Sequence, residues 1–160
     1  FIDARKFYKN VKHAGEISVK LISELLGDKG QEIWSVGPHA TVYETIEIMA
    51  DKGVGALVVM ENEKLVGIIS ERDYARKVIL QGRSSRDTPV VDIMTSDIIH
   101  TSPESTVDEC MALMTDNKIR HLPVMTDEKL LGVISIGDLV KATIIEQKST
   151  IEQLERYISG

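Results

Sequence analysis

One stretch of this chain is written twice. Gly67-Ile68-Ile69-Ser70-Glu71-Arg72-Asp73 returns 65 positions later as Gly132-Val133-Ile134-Ser135-Ile136-Gly137-Asp138, and the shift holds without a gap from Pro38/Pro103 to Asp73/Asp138. Over those 36 aligned positions 16 are identical, among them Thr41/Thr106, Val42/Val107, Met49/Met114, Gly67/Gly132, Ser70/Ser135 and Asp73/Asp138. A chain built this way must fold as a pair of like units. One copy, roughly 50 residues, is too small to bury both faces of a small sheet well, whereas two copies can bury a joint core.

Each copy reads as β-α-β-β-α. In the first, a short strand at Ile33–Val36 is broken by Gly37-Pro38. Thr41 with Glu44 three residues on has the capping-box spacing, and Val42, Ile46, Met49 and Ala50 give the following helix one apolar face. Gly53 ends it. Strands at Gly55–Met60 and Leu65–Ile69 flank the polar turn Glu61-Asn62-Glu63-Lys64, and Ser70 opens a helix running to about Leu80. Residues 82–90 are polar and rich in turn formers and read as a linker. A short helical turn at Val90–Met94 follows. The second cycle has a strand at Ile98–Thr101, the capping pair Thr106/Glu109, a helix to Asn117, strands at His121–Met125 and Leu130–Ile134, and a helix from Ser135 to about Gln147. The resulting division is 1–20 an N-terminal arm, 21–81 repeat 1, 82–90 linker, 91–147 repeat 2 and 148–160 a C-terminal helix. Within repeat 1 an extra helix fits Val19 to Leu26, stopped by Gly27-Asp28-Lys29-Gly30. The tail carries Ile151, Leu154, Tyr157 and Ile158 as a helical apolar stripe, expected to fold back on the domain, with another chain as the alternative. The fold class is therefore α/β (α+β), two repeats packed sheet to sheet about a pseudo-twofold axis, with a cleft on each side where a Ser-x-x-Asp turn faces the other repeat.

Composition narrows the function. A net charge of −6 argues against a general nucleic-acid surface, and 42% hydrophobic with 28% charged residues argues against disorder. No apolar run approaches a membrane span. The start, Phe1-Ile2-Asp3, has neither a Met nor a signal-peptide core. Cys110, the single cysteine, excludes an internal disulfide and fits a reducing cytoplasm, and its place in a helical pattern suits a small buried hydrophobe. His13, His39, His100 and His121 lack metal-site spacing. There is no phosphate-binding glycine loop, no nucleophile elbow and no acid–base pair, so the chain is not read as an enzyme.

The repeated Pro-x-x-Thr-Val (38–42, 103–107), Leu-Pro-Val (122–124) and Leu-x-Gly-(Ile/Val)-Ile-Ser-x-x-Asp (65–73, 130–138) resemble a tandem pair of cystathionine-β-synthase (CBS) domains, a Bateman module. The resemblance covers about residues 21–147. It implies a regulatory sensor of adenosine nucleotides, with AMP first, NAD next, and ATP, ADP or S-adenosylmethionine as further ligands, and no metal. It places Asp73 and Asp138 on ribose hydroxyls, a role a fixed carboxylate can fill, and Ser70 and Ser135 by the phosphate at a helix start. The family's basic second-strand residues match Arg120 and His121 in repeat 2, whereas repeat 1 has Gly55 and Ala56. The first-strand hydroxyl matches Thr101, whereas its counterpart is Val36. In paired relatives each cleft draws on both repeats. The Asp73 cleft would then hold Ser70, Arg72, Thr101, Arg120 and His121, and the Asp138 cleft would hold Ser135, Val36, Val54, Gly55 and Ala56 and bind weakly or not at all. A homodimer is expected, with a regulated protein partner possible.

The residues alone allow blander readings. Ser70-x-x-Asp73 and Ser135-x-x-Asp138 are also good helix caps, and a cap is duplicated together with its fold. Arg120 and His121 could end a solvated strand. Arg72, Arg76, Lys77, Arg83 and Arg86 could be a solvated helix face or could contact a longer phosphate chain. The rivals to a sensor are an interaction module with degenerate clefts and a regulatory piece of a larger enzyme.

Overall fold

The computed structural model describes residues 20–29 and 32–159. The expected N-terminal arm lies almost wholly outside them. The described chain gathers into two compact units. One, the repeat-1 unit, comprises 32–100 with 123–133. The other, the repeat-2 unit, comprises 20–29, 101–122 and 134–159.

In the repeat-1 unit, β1 (Ser35–Val36) runs parallel to β2 (Ala56–Glu61), and β2 pairs antiparallel with β3 (Lys64–Ser70). Asn62 and Glu63 both take positive φ, 50° and 63°, the two-residue turn whose twist suits a hairpin. The ladder shifts between Val59↔Gly67 and Met60↔Leu65, leaving Val66 as the extra residue of a bulge. Between β1 and β2 lies α2 (Val42–Lys52), which follows α1 (Ile22–Lys29) of the other unit in chain order. Thr41 accepts from the Glu44 amide and Glu44 accepts from the Thr41 amide, the predicted capping box. Gly53, with φ 65°, closes the helix in the left-handed region. Val42 and Met49 from this helix meet Leu57, Val59 and Ile69 from the sheet, with Val36, Val78, Val90 and Ile93, in one buried cluster.

Three expectations change here. The first strand is shorter than Ile33–Val36. The helix opening at Ser70 is a four-residue α-helix, α3 (Glu71–Tyr74), that widens into a π-helix over Ala75–Ile79. Leu80 and Arg83 there donate five residues back, to Ala75 and Val78. The turn at Val90–Met94 is a 3₁₀ helix, Val90–Asp92.

In the repeat-2 unit, α4 (Val107–Asn117) repeats the capping box with Thr106 and Glu109. Strands β4 (His121–Thr126) and β5 (Lys129–Ser135) of the second repeat form a two-stranded hairpin, whose residues 123–133 belong to the repeat-1 unit. The strand expected at Ile98–Thr101 is absent, because only Thr101 forms a bridge, so the second repeat is α-β-β-α with two strands where the first has three. The last helix, α5 (Ile136–Ser159), absorbs the expected separate tail into 24 continuous residues. Lys148-Ser149-Thr150 contains no Gly or Pro to stop it, and the Thr150 hydroxyl donates back to the Glu146 carbonyl at 3.1 Å. The tail does not fold back, since every residue from 147 to 159 is exposed.

Helix α1 (Ile22–Lys29) passes through Gly27, where a stop was expected; Val19 is outside the described residues. Sequence grouping counts this helix with repeat 1, yet its hydrogen bonds go to repeat 2. Ile22 and Ser23 donate to the carbonyls of Ser105 and Pro103, and Val107 donates to Lys20. The repeat-1 unit has the same three bonds from another segment. Val90 and Val91 donate to Ala40 and Pro38, and Val42 donates to Thr88. Each repeat thus has a backbone clasp on the loop before its capped helix.

Gly67 faces Val59 in the ladder and lies under Met94, and a Cβ there would sit 2.5 Å from the Met94 sulfur and 3.0 Å from its Cγ. Gly67→Ala should lower the unfolding free energy by about 1–3 kcal/mol. Chemical denaturation checks this, and Met94→Ala in the same chain should recover part of the loss. An unchanged midpoint for Gly67→Ala alone would contradict the close crossing.

Candidate functional site

The predicted ribose residues lie at matching junctions. In the repeat-1 unit the end of β3 meets α3 at Ser70, whose backbone is extended (φ −123°, ψ 162°) before the chain turns helical. The Asp73 Oδ2 accepts from the Ser70 amide at 2.9 Å and from the Ser70 hydroxyl at 3.1 Å, while the Asp73 amide donates to Ser70 Oγ at 3.2 Å. The other carboxylate oxygen, Oδ1, lies 3.0 Å from Lys77 Nζ, which also donates to the Ile93 carbonyl at 2.8 Å. Lys77 therefore ties the turn to the end of the 3₁₀ segment. It was among the basic residues of the helix but was not assigned to the site, and its i,i+4 spacing from Asp73 was the available signal.

The repeat-2 unit copies the junction. Asp138 Oδ2 accepts from the Ser135 amide at 2.8 Å, and the Asp138 amide donates to Ser135 Oγ at 3.2 Å. Here the position matching Lys77 is Ala142, which is buried. Asp138 is half-buried, as is Asp73.

Each turn is also bonded to the residue just before the first hairpin strand of its own repeat, β2 or β4. The Glu71 amide donates to the Gly55 carbonyl at 3.0 Å, and at the equivalent place the Ile136 amide donates to the Arg120 carbonyl at 2.8 Å. Gly55 and Ala56 thus adjoin the Ser70 turn, and Arg120 with its neighbour His121 adjoins the Ser135 turn. Arg120 is exposed and His121 half-buried. Val36 is buried in its pairing with Val59, and half-buried Val54 donates to the Met49 carbonyl. Arg72 is half-buried. The predicted residues divide between the units: Ser70, Arg72, Asp73, Val36, Val54, Gly55 and Ala56 in one, and Thr101, Arg120, His121, Ser135 and Asp138 in the other.

Thr101 is buried, and its hydroxyl lies 3.3 Å from the sulfur of buried Cys110. Burial pushes the Cys110 thiol up, the Thr101 contact opposes this, and the nearby Glu109 charge adds to it. The folded state therefore favours the neutral thiol. That preference stabilises the fold below the unfolded thiol's pKa and is lost as pH rises above it, from roughly pH 8.5 upward. Among the described residues no group of His, Cys, Asp and Glu is placed to hold a metal ion, and no helix is long and apolar enough to cross a membrane.

Two capped Ser-x-x-Asp junctions on two small α+β units define a tandem-repeat module. The CBS-domain family profile matches residues 29–79 and 90–144, and the chain belongs to that family, as a tandem CBS pair. It is 44% identical over 149 residues to the mitochondrial CBS domain-containing protein CBSX3 of Arabidopsis thaliana, covering 87% of this chain and 72% of that one. A solved structure of a protein with CBS domains from Burkholderia ambifaria MC40-6 superposes with a TM-score of 0.77 at 48% identity, covering 80% of this chain and 96% of that one. The CBS domain pair of protein MJ0100, solved with 5-methylthioadenosine and S-adenosyl-L-methionine, shares the fold with a TM-score of 0.70 at 22% identity, over 78% and 96% of the two chains.

The native chain should react with an aromatic disulfide reagent at pH 8 far more slowly than the unfolded chain, and Cys110→Ala should flatten the loss of stability above roughly pH 8.5; rapid native labelling would contradict the burial. Separately, Ser135→Ala should destabilise by about 1 kcal/mol through loss of the cap, measured by denaturation.

Proposed function

We propose that this chain is a non-catalytic regulatory sensor that binds an adenosine nucleotide through the ribose-facing carboxylates Asp73 and Asp138. The observation that carries the reading is the fixed geometry of these carboxylates. Each is held at a strand-to-helix junction by its own serine, and a positioned carboxylate can accept from both cis-hydroxyls of a ribose. Caps elsewhere in the chain, at Thr41 and Thr106, use Glu, whose longer side chain reaches back equally well. A cap alone therefore does not require Asp at this junction. The adenosine ligands in the MJ0100 crystal support the ligand class. AMP is the first choice because Arg120 and His121 supply one compact cationic pair for a monophosphate. NAD comes next because of the further basic residues Arg72, Arg76, Lys77, Arg83 and Arg86, and ATP or ADP follow. The expected compartment is the reducing cytoplasm, in keeping with the single buried thiol, and the expected assembly is a homodimer acting on a protein partner.

The primary carboxylate in this reading is Asp73, beside Ser70 and Arg72. One observation favours a second order of sites. The Arg120 carbonyl accepts from Ile136, so this cation's backbone adjoins the Asp138 turn, which would make Asp138 the carboxylate that shares a nucleotide with it.

Isothermal calorimetry against AMP, ADP, ATP, NAD and S-adenosylmethionine tests both. Asp73→Asn and Asp138→Asn keep an acceptor for the serine amide, so the fold is retained while one ribose acceptor is lost. The expected result is saturable binding weakened at least about tenfold, or 1.4 kcal/mol, by Asp73→Asn and less by Asp138→Asn. The reverse order would establish the second arrangement. Flat titrations of ligand-free protein would overturn the sensor and leave an interaction module.

A further inference from the structure

Every one of the last 13 residues of helix α5, 147–159, is exposed. A free helix of that length is marginal in water, because helices in proteins are held mostly by packing one apolar face. This one has such a face. Val140, Ile144, Gln147, Ile151, Leu154 and Ile158 fall at alternating spacings of four and three, the a/d seam of a coiled coil, and the five apolar members are 42% to 82% exposed. Glu152, Gln153 and Arg156 occupy the opposite side, and Ile145 lies off the seam.

We propose that this seam pairs with the same helix of a second copy of the chain, in antiparallel register. The occupant and the direction both follow from charge. One flank of the seam carries Lys141, Lys148 and Glu155, and the other carries Thr143, Thr150 and Tyr157. A parallel pair would set each flank against its opposite, Thr143 by Lys148 and Thr150 by Glu155, with no ion pair and with Gln147 against Gln147. An antiparallel pair sets like flanks together. When Ile151 packs on Leu154 of the second copy, Lys148 faces Glu155 and Glu155 faces Lys148, so the sequence is its own electrostatic complement. Gln147 then meets Ile158 at each end of the pair and Thr150 lies beside Tyr157. The pairing is two-fold symmetric, as an isologous interface requires. It closes after two copies over residues 147–158, with Val140 and Ile144 outside the overlap.

Cysteine cross-linking reads this contact directly, whatever other surfaces join copies. The full chain carrying Ile151→Cys is mixed with the full chain carrying Leu154→Cys and oxidised gently, with the unsubstituted chain, whose Cys110 is buried, as control. The expected product is a covalent dimer joining the two different variants, in large excess over either variant joined to itself. A dominant product of Ile151→Cys with itself would show a parallel pair and overturn the register. No inter-chain product would show that residues 1–19 or another protein covers the seam, and would overturn the proposal. Charge reversal gives an independent readout by sedimentation equilibrium. Lys148→Glu or Glu155→Lys alone should weaken self-association at least about fivefold, and the two together should restore it. A double variant no better than the singles would contradict the facing charges.

Discussion

The interaction on which the molecule depends is the reciprocal bond between a serine and the aspartate three residues later. At 70/73 and again at 135/138 it ends a strand and starts a helix. The aspartate must sit in the first turn with its carboxylate folded back on the serine amide, which leaves it half-buried, charged and fixed. A helix cap stabilises by roughly 1 kcal/mol. The same fixed acceptor can serve a ribose without the ordering cost that a free side chain would bear. Structure and binding thus draw on one pair of atoms, and ligand titration separates a cap-only account from a sensor account.

Around that junction the two repeats differ in ways that matter. Asp73 is steadied by Lys77, whose ammonium also holds the Ile93 carbonyl, whereas the matching position in repeat 2 is the buried Ala142. This half-exposed ion pair adds at most a fraction of a kcal/mol. Its consequence is connectivity, since a ligand that drew on Asp73 Oδ1 would compete with Lys77 and loosen its hold on the segment after Val90–Asp92. Coupling of that kind reaches only as far as the ligand's differential affinity for the two arrangements. The second junction has Arg120 and His121 beside it where the first has Gly55 and Ala56, so cationic character and carboxylate steadying fall on opposite repeats.

Much of this was legible in the sequence because it repeats at a constant offset of 65 residues. The offset exposed the paired serine–aspartate turns and both capping boxes, and the Glu61–Lys64 turn announced its hairpin. The backbone clasps were invisible for a physical reason. They join main-chain atoms of 20–23 to repeat 2 and of 88–91 to repeat 1, segments 68 residues apart that lie off the 65-residue offset, so the match of Ile22, Leu25 and Leu26 with Val90, Ile93 and Met94 does not appear in the repeat alignment. The π-helix after Tyr74 was hidden because apolar spacing over one turn does not separate a period of 3.6 from a wider one. The strand expected at Ile98–Thr101 has the right residues but no ladder partner beyond Thr101. At the candidate site, Thr101 was legible as a hydroxyl, while its engagement with Cys110 needed three dimensions.

The most direct test of the central claim, that the Ser-x-x-Asp carboxylates bind ligand as well as cap helices, is the melting temperature as a function of AMP concentration for the wild type, Asp73→Asn and Asp138→Asn. A ligand that binds only the folded state raises stability by RT ln(1 + [L]/Kd), about 2.7 kcal/mol at a hundredfold excess over Kd. The account predicts a wild-type melting temperature that climbs with AMP, and a slope that falls in one or both variants even though their ligand-free melting temperatures stay close to wild type. Three curves that remain flat at millimolar AMP, or that rise in parallel in all three proteins, would contradict it and leave the aspartates as caps alone.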